Sequence, residues 1–282
     1  MSKDNADQIA EWNGALGQRW ADARREIEAL AAGFGAAALQ RARVEPGERV
    51  IDIGCGCGDT SIELARRVGA AGRVLGVDVS QPMLQVARER AAAAGLRQLS
   101  FSEADASSAA LPAQTDLLYS RFGVMFFADP PAAFSHLRAA LRPGGRIVFV
   151  CWRAPRDNGW AMAPLVAARR ALGITPPPAD RLAPGPFAFA DGERVRGILA
   201  GAGFADIELQ RVDAPIVLGA TPHAAAESAL RVGPTSQLVR DAGPGHLPAI
   251  LQGVERELAA LAAADGQVSL GGSAWVVSAA RG

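Results

Sequence analysis

The sequence has few of the residues that build disulfide frameworks or metal sites. Its 282 residues include three cysteines, Cys55, Cys57 and Cys151, and three histidines. The cysteines are odd in number and lack the spacing of a disulfide framework, so we expect reduced thiols in a cytoplasmic protein. No second Cys or His pair stands near Cys55 and Cys57 to complete a metal site, so we predict no bound metal.

Net charge and long hydrophobic runs are also missing. Lysine plus arginine and aspartate plus glutamate both total 29, so the formal net charge is zero. A neutral chain lacks the basic field that dominates nucleic-acid affinity, which argues against DNA or RNA as a partner. No apolar run is long enough to span a bilayer, and the polar start is unlike a secretory signal. We therefore expect a cytoplasmic monomer or homodimer with no nucleic-acid or membrane partner.

Short β-rich runs alternate with helical segments through the first half of the chain. Strands are predicted at residues 49–53, 73–79, 99–102, 116–120 and 146–152, with further extended runs at 207–218 and 273–280. Repeated strand–helix alternation implies a parallel, doubly wound sheet. The predicted fold is α/β, with a seven-stranded, mostly parallel, doubly wound sheet and a helical lid.

Changes in composition divide the chain into core and cap segments. A long proline-rich connection follows Trp152, and long connections in compact domains often form lids or binding loops. The predicted segments are an N-terminal helical cap (1–43), the core (44–152), a lid connection that contains Pro176, Pro177 and Pro178 (153–190), continued core (191–220), a helical lid insertion (221–265) and the last strand (266–282).

The most informative motif is a glycine loop between the first predicted strand and the following helix. The segment reads Asp52-x-Gly54-x-Gly56-x-Gly58. Glycines let the backbone turn sharply and come into contact with a ligand, because no Cβ stands in the way. The helix N-terminus beyond the loop offers free N–H groups to a carboxylate or phosphate. The motif therefore predicts a site for a nucleotide-type cofactor.

This loop resembles motif I of the class I S-adenosylmethionine-dependent methyltransferases, and three further motifs follow in the family's order. The second strand ends in Asp78, twenty positions after Gly58. Asp105 follows the third strand, and Pro143-Gly144-Gly145 matches the family's turn before strand five. The resemblance covers residues 48–152 and implies a Rossmann-like methyltransferase fold.

The resemblance implies S-adenosylmethionine as the cofactor, with S-adenosylhomocysteine as its product. Asp78 would accept hydrogen bonds from the ribose hydroxyls, and Asp105 would lie near the adenine amino group. Asp52 would orient the loop or contact the methionine end. The expected cofactor-binding residues are Asp52, Gly54, Cys55, Gly56, Thr60, Asp78, Val79, Met83, Asp105, Ala106, Ser120 and Trp20.

The segment from Ser120 to Phe127 bears on the methyl acceptor. It lacks the Asn/Asp-Pro-Pro-Tyr motif of many methyltransferases that act on nucleobases or glutamine, and it resembles small-molecule enzymes such as the ubiquinone/menaquinone C-methyltransferases. The expected acceptor-binding residues are Phe122, Phe126, Trp152 and Trp12. His223, at the start of the lid insertion, is the candidate general base.

We therefore predict methyl transfer to oxygen, nitrogen or carbon of a small, largely apolar or aromatic metabolite, by in-line displacement in a lid-enclosed site. One alternative is a nicotinamide-dependent oxidoreductase, although Asp59 occupies the third-glycine position of the G-x-G-x-x-G fingerprint. A second is a non-catalytic protein that binds S-adenosylmethionine. A macromolecule methyltransferase is disfavoured by the zero net charge and the bulky lid.

Overall fold

The computed structural model of the protein describes residues 5–175, 180 and 182–282. In this part of the chain, seven strands form one sheet in the order β3-β2-β1-β4-β5-β7-β6. The strands are β1 (Arg49–Ile53), β2 (Arg73–Asp78), β3 (Leu99–Glu103), β4 (Thr115–Arg121), β5 (Leu141–Trp152), β6 (Phe204–Gly219) and β7 (Val268–Arg281). Strands β1 to β5 pair in parallel, and β7 runs antiparallel to both β5 and β6. The predicted α/β class and mostly parallel seven-stranded sheet are confirmed.

Helices cover the sheet and continue into the cap. They are α1 (Ala6–Asn13), α2 (Ala15–Asp22), α3 (Arg24–Ala42), α4 (Asp59–Val68), α5 (Gln81–Ala93), α6 (Pro130–Ala140), α7 (Gly159–Leu172), α8 (Gly192–Gly201), α9 (Pro222–Arg231), α10 (Pro234–Ala242) and α11 (Leu247–Ala259). Helix α3 packs across β5, β6 and β7, whereas α4 packs against β1 and β2. Within the described residues, no helix combines the length and apolar character needed to cross a membrane.

One sequence prediction needs adjustment, and another cannot be compared with the structure. The turn at Pro143-Gly144-Gly145 lies inside β5 as an irregularity, because Thr115 pairs with Leu141 whereas Leu117 pairs with Arg146. The four residues skipped on β5 let the strand pass the turn without leaving the sheet. Residues Pro176, Pro177 and Pro178 lie outside the described residues.

The order of the strands in the sheet indicates where a ligand would bind. The sheet reverses its direction of winding between β1 and β4, which are neighbours although β2 and β3 separate them in sequence. In doubly wound sheets, ligands bind beyond the carboxyl ends of the strands at such a switch point. Here β1 ends at Ile53 and β4 ends at Arg121, so the glycine loop lies at this point.

The core beneath the sheet includes a cluster of phenylalanines around Phe134. Phe134 is fully buried, and its ring centroid lies 5.9 Å from Phe127, 5.5 Å from Phe149 and 6.0 Å from Phe189. Close packing on all sides leaves little room for the core to collapse around a cavity.

Replacing Phe134 by Ala is therefore expected to lower the free energy of unfolding by about 3–5 kcal/mol. Urea unfolding followed by circular dichroism measures the change. Val166→Ala is the control, because Val166 is 43% exposed on α7 and its replacement should cost less than about 0.5 kcal/mol. Equal effects of the two substitutions would contradict the placement of Phe134 in the core.

Candidate active site

The glycine loop leaves β1 in close contact with the segment that follows β4. Gly54 has a φ of +66°, and a Cβ there would lie 2.8 Å from the Cα of Gly123. A side chain at Gly54 would therefore push the two loops apart. Gly56 also has a positive φ, +54°, and its N–H donates to a carboxylate of the next strand. The loop thus lies flat across the ends of the central strands.

That carboxylate belongs to Asp78 at the end of β2. Its Oδ2 accepts from the Gly56 N–H at 2.8 Å, and its Oδ1 accepts from the Ser80 N–H at 2.9 Å. Burial raises the pKa of Asp78, although the backbone hydrogen bonds from Ser80 and Gly56 oppose the rise. Each oxygen keeps a lone pair, so the carboxylate can accept further hydrogen bonds from a ligand.

Asp105 lies on the loop after β3. Its Oδ2 accepts from Asn5 Nδ2 at 3.0 Å, and its Oδ1 accepts from the Ser107 N–H at 2.8 Å. Burial acts to raise the pKa of Asp105, but the hydrogen bonds from Asn5 and Ser107 outweigh it and hold the pKa below its usual range. The side chain is therefore ionised and ready to accept from an amino group.

Helix α1 is fastened across the turn between β2 and α5. Asn13 Nδ2 donates to the Val79 carbonyl at 2.8 Å, and Asn13 Oδ1 accepts from the Gln81 N–H at 2.9 Å. Ser80 Oγ also donates to the Trp12 carbonyl at 2.8 Å. With the Asn5 contact to Asp105, these bonds hold α1 over both acidic turns.

Aromatic rings face the loops from the other side. The rings of Phe122 and Trp152 stack with centroids 4.1 Å apart, and Trp160 lies 5.0 Å from Trp152. Trp12 makes edge-on contacts with Trp20 at 5.3 Å and with Phe126 at 5.6 Å. Stacked and edge-on pairs at these distances are favourable and form a firm apolar wall.

The acidic turns and the aromatic wall enclose one cavity of about 810 Å³. Most of the residues expected from the sequence line it. They are Gly54, Cys55, Gly56, Thr60, Asp78, Val79, Met83, Asp105, Ala106 and Trp20 among the expected cofactor residues, and Phe122, Phe126, Trp152 and Trp12 among the expected acceptor residues.

Similar proteins agree on the family. A sequence family described as a methyltransferase domain matches residues 50–145. Nocamycin O-methyltransferase from Saccharothrix syringae is 31% identical over 192 residues, which are 62% of this chain and 68% of that protein. The chain belongs to the class I S-adenosylmethionine-dependent methyltransferases.

Further relatives of this methyltransferase show how far the similarity extends. The ubiquinone/menaquinone biosynthesis C-methyltransferase UbiE from Teredinibacter turnerae is 32% identical over 122 residues, which are 43% of this chain and 49% of that protein. The matches span about half the length of several curated relatives. The YcgJ protein of Bacillus subtilis shares the fold, with a TM-score of 0.59, 18% identity, and coverage of 88% of this chain and 97% of that one.

The cavity residues fit S-adenosylmethionine, the family's cofactor. Asp78 offers two carboxylate oxygens with free lone pairs, which suit the two hydroxyl donors of a ribose. Gly56 carries no Cβ above this carboxylate, and the Met83 sulfur would lie 3.8 Å from one built there. Ala106 and Val79 provide apolar surface beside the acid, as an adenine ring needs.

Two residues expected to bind the cofactor lie beneath the loop instead. Asp52 is fully buried and does not line the cavity; its Oδ2 accepts from Thr60 Oγ1 at 2.7 Å and from Ser61 Oγ at 2.6 Å. Ser120 is also fully buried, and its Oγ donates to the Ile53 carbonyl at 2.8 Å. Both side chains hold the loop and the start of α4 in place, which corrects the expectation of direct contact.

The structure places His223, the expected catalytic base, away from the cavity in which the reaction would occur. His223 lies outside the cavity on α9, with its side chain 56% exposed. Its Nδ1 is 2.9 Å from Glu255 Oε2, and the hydrogen bond that this carboxylate accepts raises the pKa of the histidine. His136 and His246 do not line the cavity either, so no histidine of the chain faces the site.

Sequence reasoning missed the charged residues of the cavity. Arg24 Nη1 lies 2.9 Å from Asp59 Oδ1, and Arg121 donates to both Glu28 oxygens at 3.0 and 2.6 Å. Arg24 and Glu28 are four apart on α3, a spacing that puts them on one helix face. Arg121 directly follows Ser120 in a segment already identified, so its position could have been anticipated. Its partner on α3 could not, because only the fold brings α3 to the end of β4.

Replacing Asp78 by Asn is expected to weaken binding of S-adenosylhomocysteine about 10- to 100-fold. Hydrogen bonds to a charged group contribute about 1.5–3 kcal/mol, and the amide loses one acceptor oxygen. Isothermal titration calorimetry measures the affinity. Glu103→Gln is the control, because Glu103 is exposed at the end of β3 and outside the cavity. Affinity within threefold of the wild type would contradict the ribose assignment.

Asp52 makes the stability of the protein depend on pH. Burial raises the pKa of Asp52 to about 6, although hydrogen bonds from Ser61 and Thr60 oppose the rise, and its Oδ1 has no partner among the described residues. The native state therefore holds the proton more tightly than the unfolded state, whose pKa is about 4. The free energy of unfolding consequently falls as the pH rises through this interval.

Asp52→Asn removes this titration. The stability of the wild type relative to the variant should fall by about 2 kcal/mol between pH 4 and pH 7. Urea unfolding of both proteins across this range measures the difference. Asp116→Asn should not show this fall, because the hydrogen bond from Arg142 outweighs burial and lowers the pKa of Asp116, so that its titration acts with the opposite sign and mainly below about pH 4. If the difference in unfolding free energy between the wild type and Asp52→Asn did not change with pH, the raised pKa of Asp52 would be refuted.

Proposed function

We propose that the protein transfers the methyl group of S-adenosylmethionine to oxygen, nitrogen or carbon of a small, largely apolar or aromatic metabolite. One observation carries this proposal: the acidic cofactor turns and a wall of stacked aromatic rings lie in the same cavity. Asp78 and Asp105 are at one end, and Phe122 and Trp152 are on the opposing wall. A donor and an acceptor bound there would meet between them.

The cofactor would lie along the ends of β1, β2 and β3. Asp78 would take the ribose, and Asp105, whose oxygens each keep a lone pair beside the bonds from Asn5 and Ser107, would take the adenine amino group. Backbone groups of Gly54 and Gly56 would border the methionine end. When bound, S-adenosylmethionine supplies an activated methyl group on a sulfonium.

The acceptor would lie under the cap, which we define as residues 1–43, 153–190 and 221–265. The described part of each segment contributes to the cavity wall, with Trp12 from α1, Trp160 from α7 and Leu238 from α10. Flat aromatic surfaces favour a flat acceptor, and an enclosed wall keeps water from the reacting atoms.

The protein's own contribution is positioning. Holding the acceptor atom in line with the methyl–sulfur bond can supply much of the rate increase. Phe122 is suited to this task, because it holds a left-handed backbone conformation, with a φ of 61°, directly after β4. A strained backbone of this kind persists only where the surroundings enforce it. Since no histidine faces the cavity, an acceptor that must lose a proton would rely on a carboxylate or on its own acidity.

We further propose that the protein acts in the cytoplasm, as a monomer or homodimer, without nucleic-acid or membrane partners. The zero net charge supports the absence of a nucleic-acid partner. The three free cysteines, each buried, are consistent with a reducing compartment.

Incubation with methyl-labelled S-adenosylmethionine and a panel of hydroquinones, polyphenols and aromatic acids tests the activity. We expect label in at least one product. Trp152→Leu should raise the acceptor KM about 2- to 12-fold, the range of an aromatic stacking contribution, while the affinity for S-adenosylhomocysteine stays unchanged. Trp275→Leu is the control, because Trp275 packs outside the cavity, 4.5 Å below the Arg153 guanidinium. Cofactor binding without label transfer to this panel or to a metabolite extract would contradict a catalytic role.

A further inference from the structure

The arginines that line the cavity differ in whether they pair with a carboxylate of the protein. Within the described residues, Arg24, Arg121, Arg169 and Arg240 line it. Arg24 is paired with Asp59, and Arg121 is paired with Glu28. Both guanidinium groups therefore have a carboxylate partner within the protein, although Arg24 shares Asp59 with Arg90 at 2.7 Å.

Arg169 and Arg240 have no such partner. Neither forms an ion pair with a carboxylate in the described part of the chain, although both side chains are half-buried. Arg240 Nη1 makes only a long contact, 3.4 Å, with Ser236 Oγ. A guanidinium that loses water without gaining a carboxylate is costly, unless a ligand supplies the missing charge.

The surroundings of Arg240 make its positive charge still less favourable. Burial lowers the pKa of Arg240, and the nearby Arg19 lowers it further, whereas Glu11 and Asp241 act in the opposite direction. Both carboxylates are exposed, and Asp241 already accepts a hydrogen bond from Gln237 at 2.8 Å. Both carboxylates line the cavity but compensate the guanidinium group only in part, because neither forms an ion pair with it.

The two arginines belong to the acceptor side. Arg169 is on α7 and Arg240 is on α10, two helices of the cap that pack against each other. On α7, Met162, Leu165 and Arg169 follow one helix face and all line the cavity. A rise of 1.5 Å per residue puts Arg169 about 10 Å beyond Met162 along the helix.

We propose that Arg169 and Arg240 bind a carboxylate of the methyl acceptor, whose rings lie against the aromatic wall. The acceptor class is then an elongated aromatic acid. The planar guanidinium group matches the two oxygens of a carboxylate, which a neutral acceptor does not offer. This assignment rests on the proposed function, because it treats the aromatic side of the cavity as the acceptor site.

A matched pair of ligands tests the assignment. Anthraquinone-2-carboxylate and anthraquinone-2-carboxamide have nearly the same shape and differ in charge. Four cavity tryptophans report their binding through fluorescence quenching, measured with saturating S-adenosylhomocysteine. We expect the wild type to bind the acid at least tenfold more tightly than the amide. Arg169→Gln and Arg240→Gln should each reduce this preference, and the double variant should abolish it.

The amide is the internal control for folding, because its affinity should not change in any variant. Arg170→Gln is the matched control, since Arg170 neighbours Arg169 but pairs with Glu257 at 3.3 Å outside the cavity. Its preference should equal that of the wild type. The double variant Arg169→Lys, Arg240→Lys should retain part of the preference through charge alone.

Equal affinity for acid and amide in the wild type, failure to bind either, or a preference that survives the double variant would overturn the assignment. Calorimetry with S-adenosylhomocysteine separates this result from failure of the proposed function. Cofactor binding without acid preference removes only the carboxylate site. Acid preference without cofactor binding removes the proposed methyl transfer and leaves the anion site in place.

Discussion

The site depends on the two hydrogen bonds that the Asp78 carboxylate accepts from backbone N–H groups. One comes from Gly56 in the glycine loop, and the other comes from Ser80 at the start of α5. A single buried side chain thus joins two turns that are more than twenty residues apart in sequence. The turn at Ser80 in turn receives Trp12 and Asn13 of α1, so the position of the cap also depends on this joint. Charge-assisted bonds in a buried setting are strong enough to fix such geometry.

The cavity divides its tasks between backbone and side chains. The end proposed to bind the donor is built from turns whose glycines and acids lie where the strands end. The acceptor end is built from helices of the cap, where aromatic rings and two uncompensated arginines line the wall. A common donor with a variable acceptor explains why the core carries the family resemblance. Under the proposed function, the cap would set the specificity, because its side chains would contact the acceptor, the part of the complex that differs between relatives.

The buried carboxylate of Asp52, which supports the glycine loop from below, lacks a complete set of hydrogen-bond partners in the described part of the chain. Asp52 orients Thr60 and Ser61 at the start of α4, yet one of its oxygens has no partner among the described residues. Asp52 is fully buried beneath the cavity. Its hydroxyl partners stabilise the ionised form only partly against the loss of hydration. The result is an acid that shapes the cofactor loop and titrates close to neutral pH.

The sequence by itself determined the α/β class, the succession of strands and helices along the core, the glycine loop and the acids Asp78 and Asp105. These features follow from local patterns: strand–helix alternation sets the sheet, and residues at strand ends must meet at one edge. Only the tertiary structure decided three other features. Asp52 is buried, His223 points away from the cavity, and Arg121 pairs with Glu28. Burial and long-range pairing depend on how separate elements pack, and residue spacing along one chain does not encode the distance between α3 and β4. Arg169 and Arg240 could not be identified from the sequence for the same reason, because only the packed cap brings α7 and α10 to one cavity.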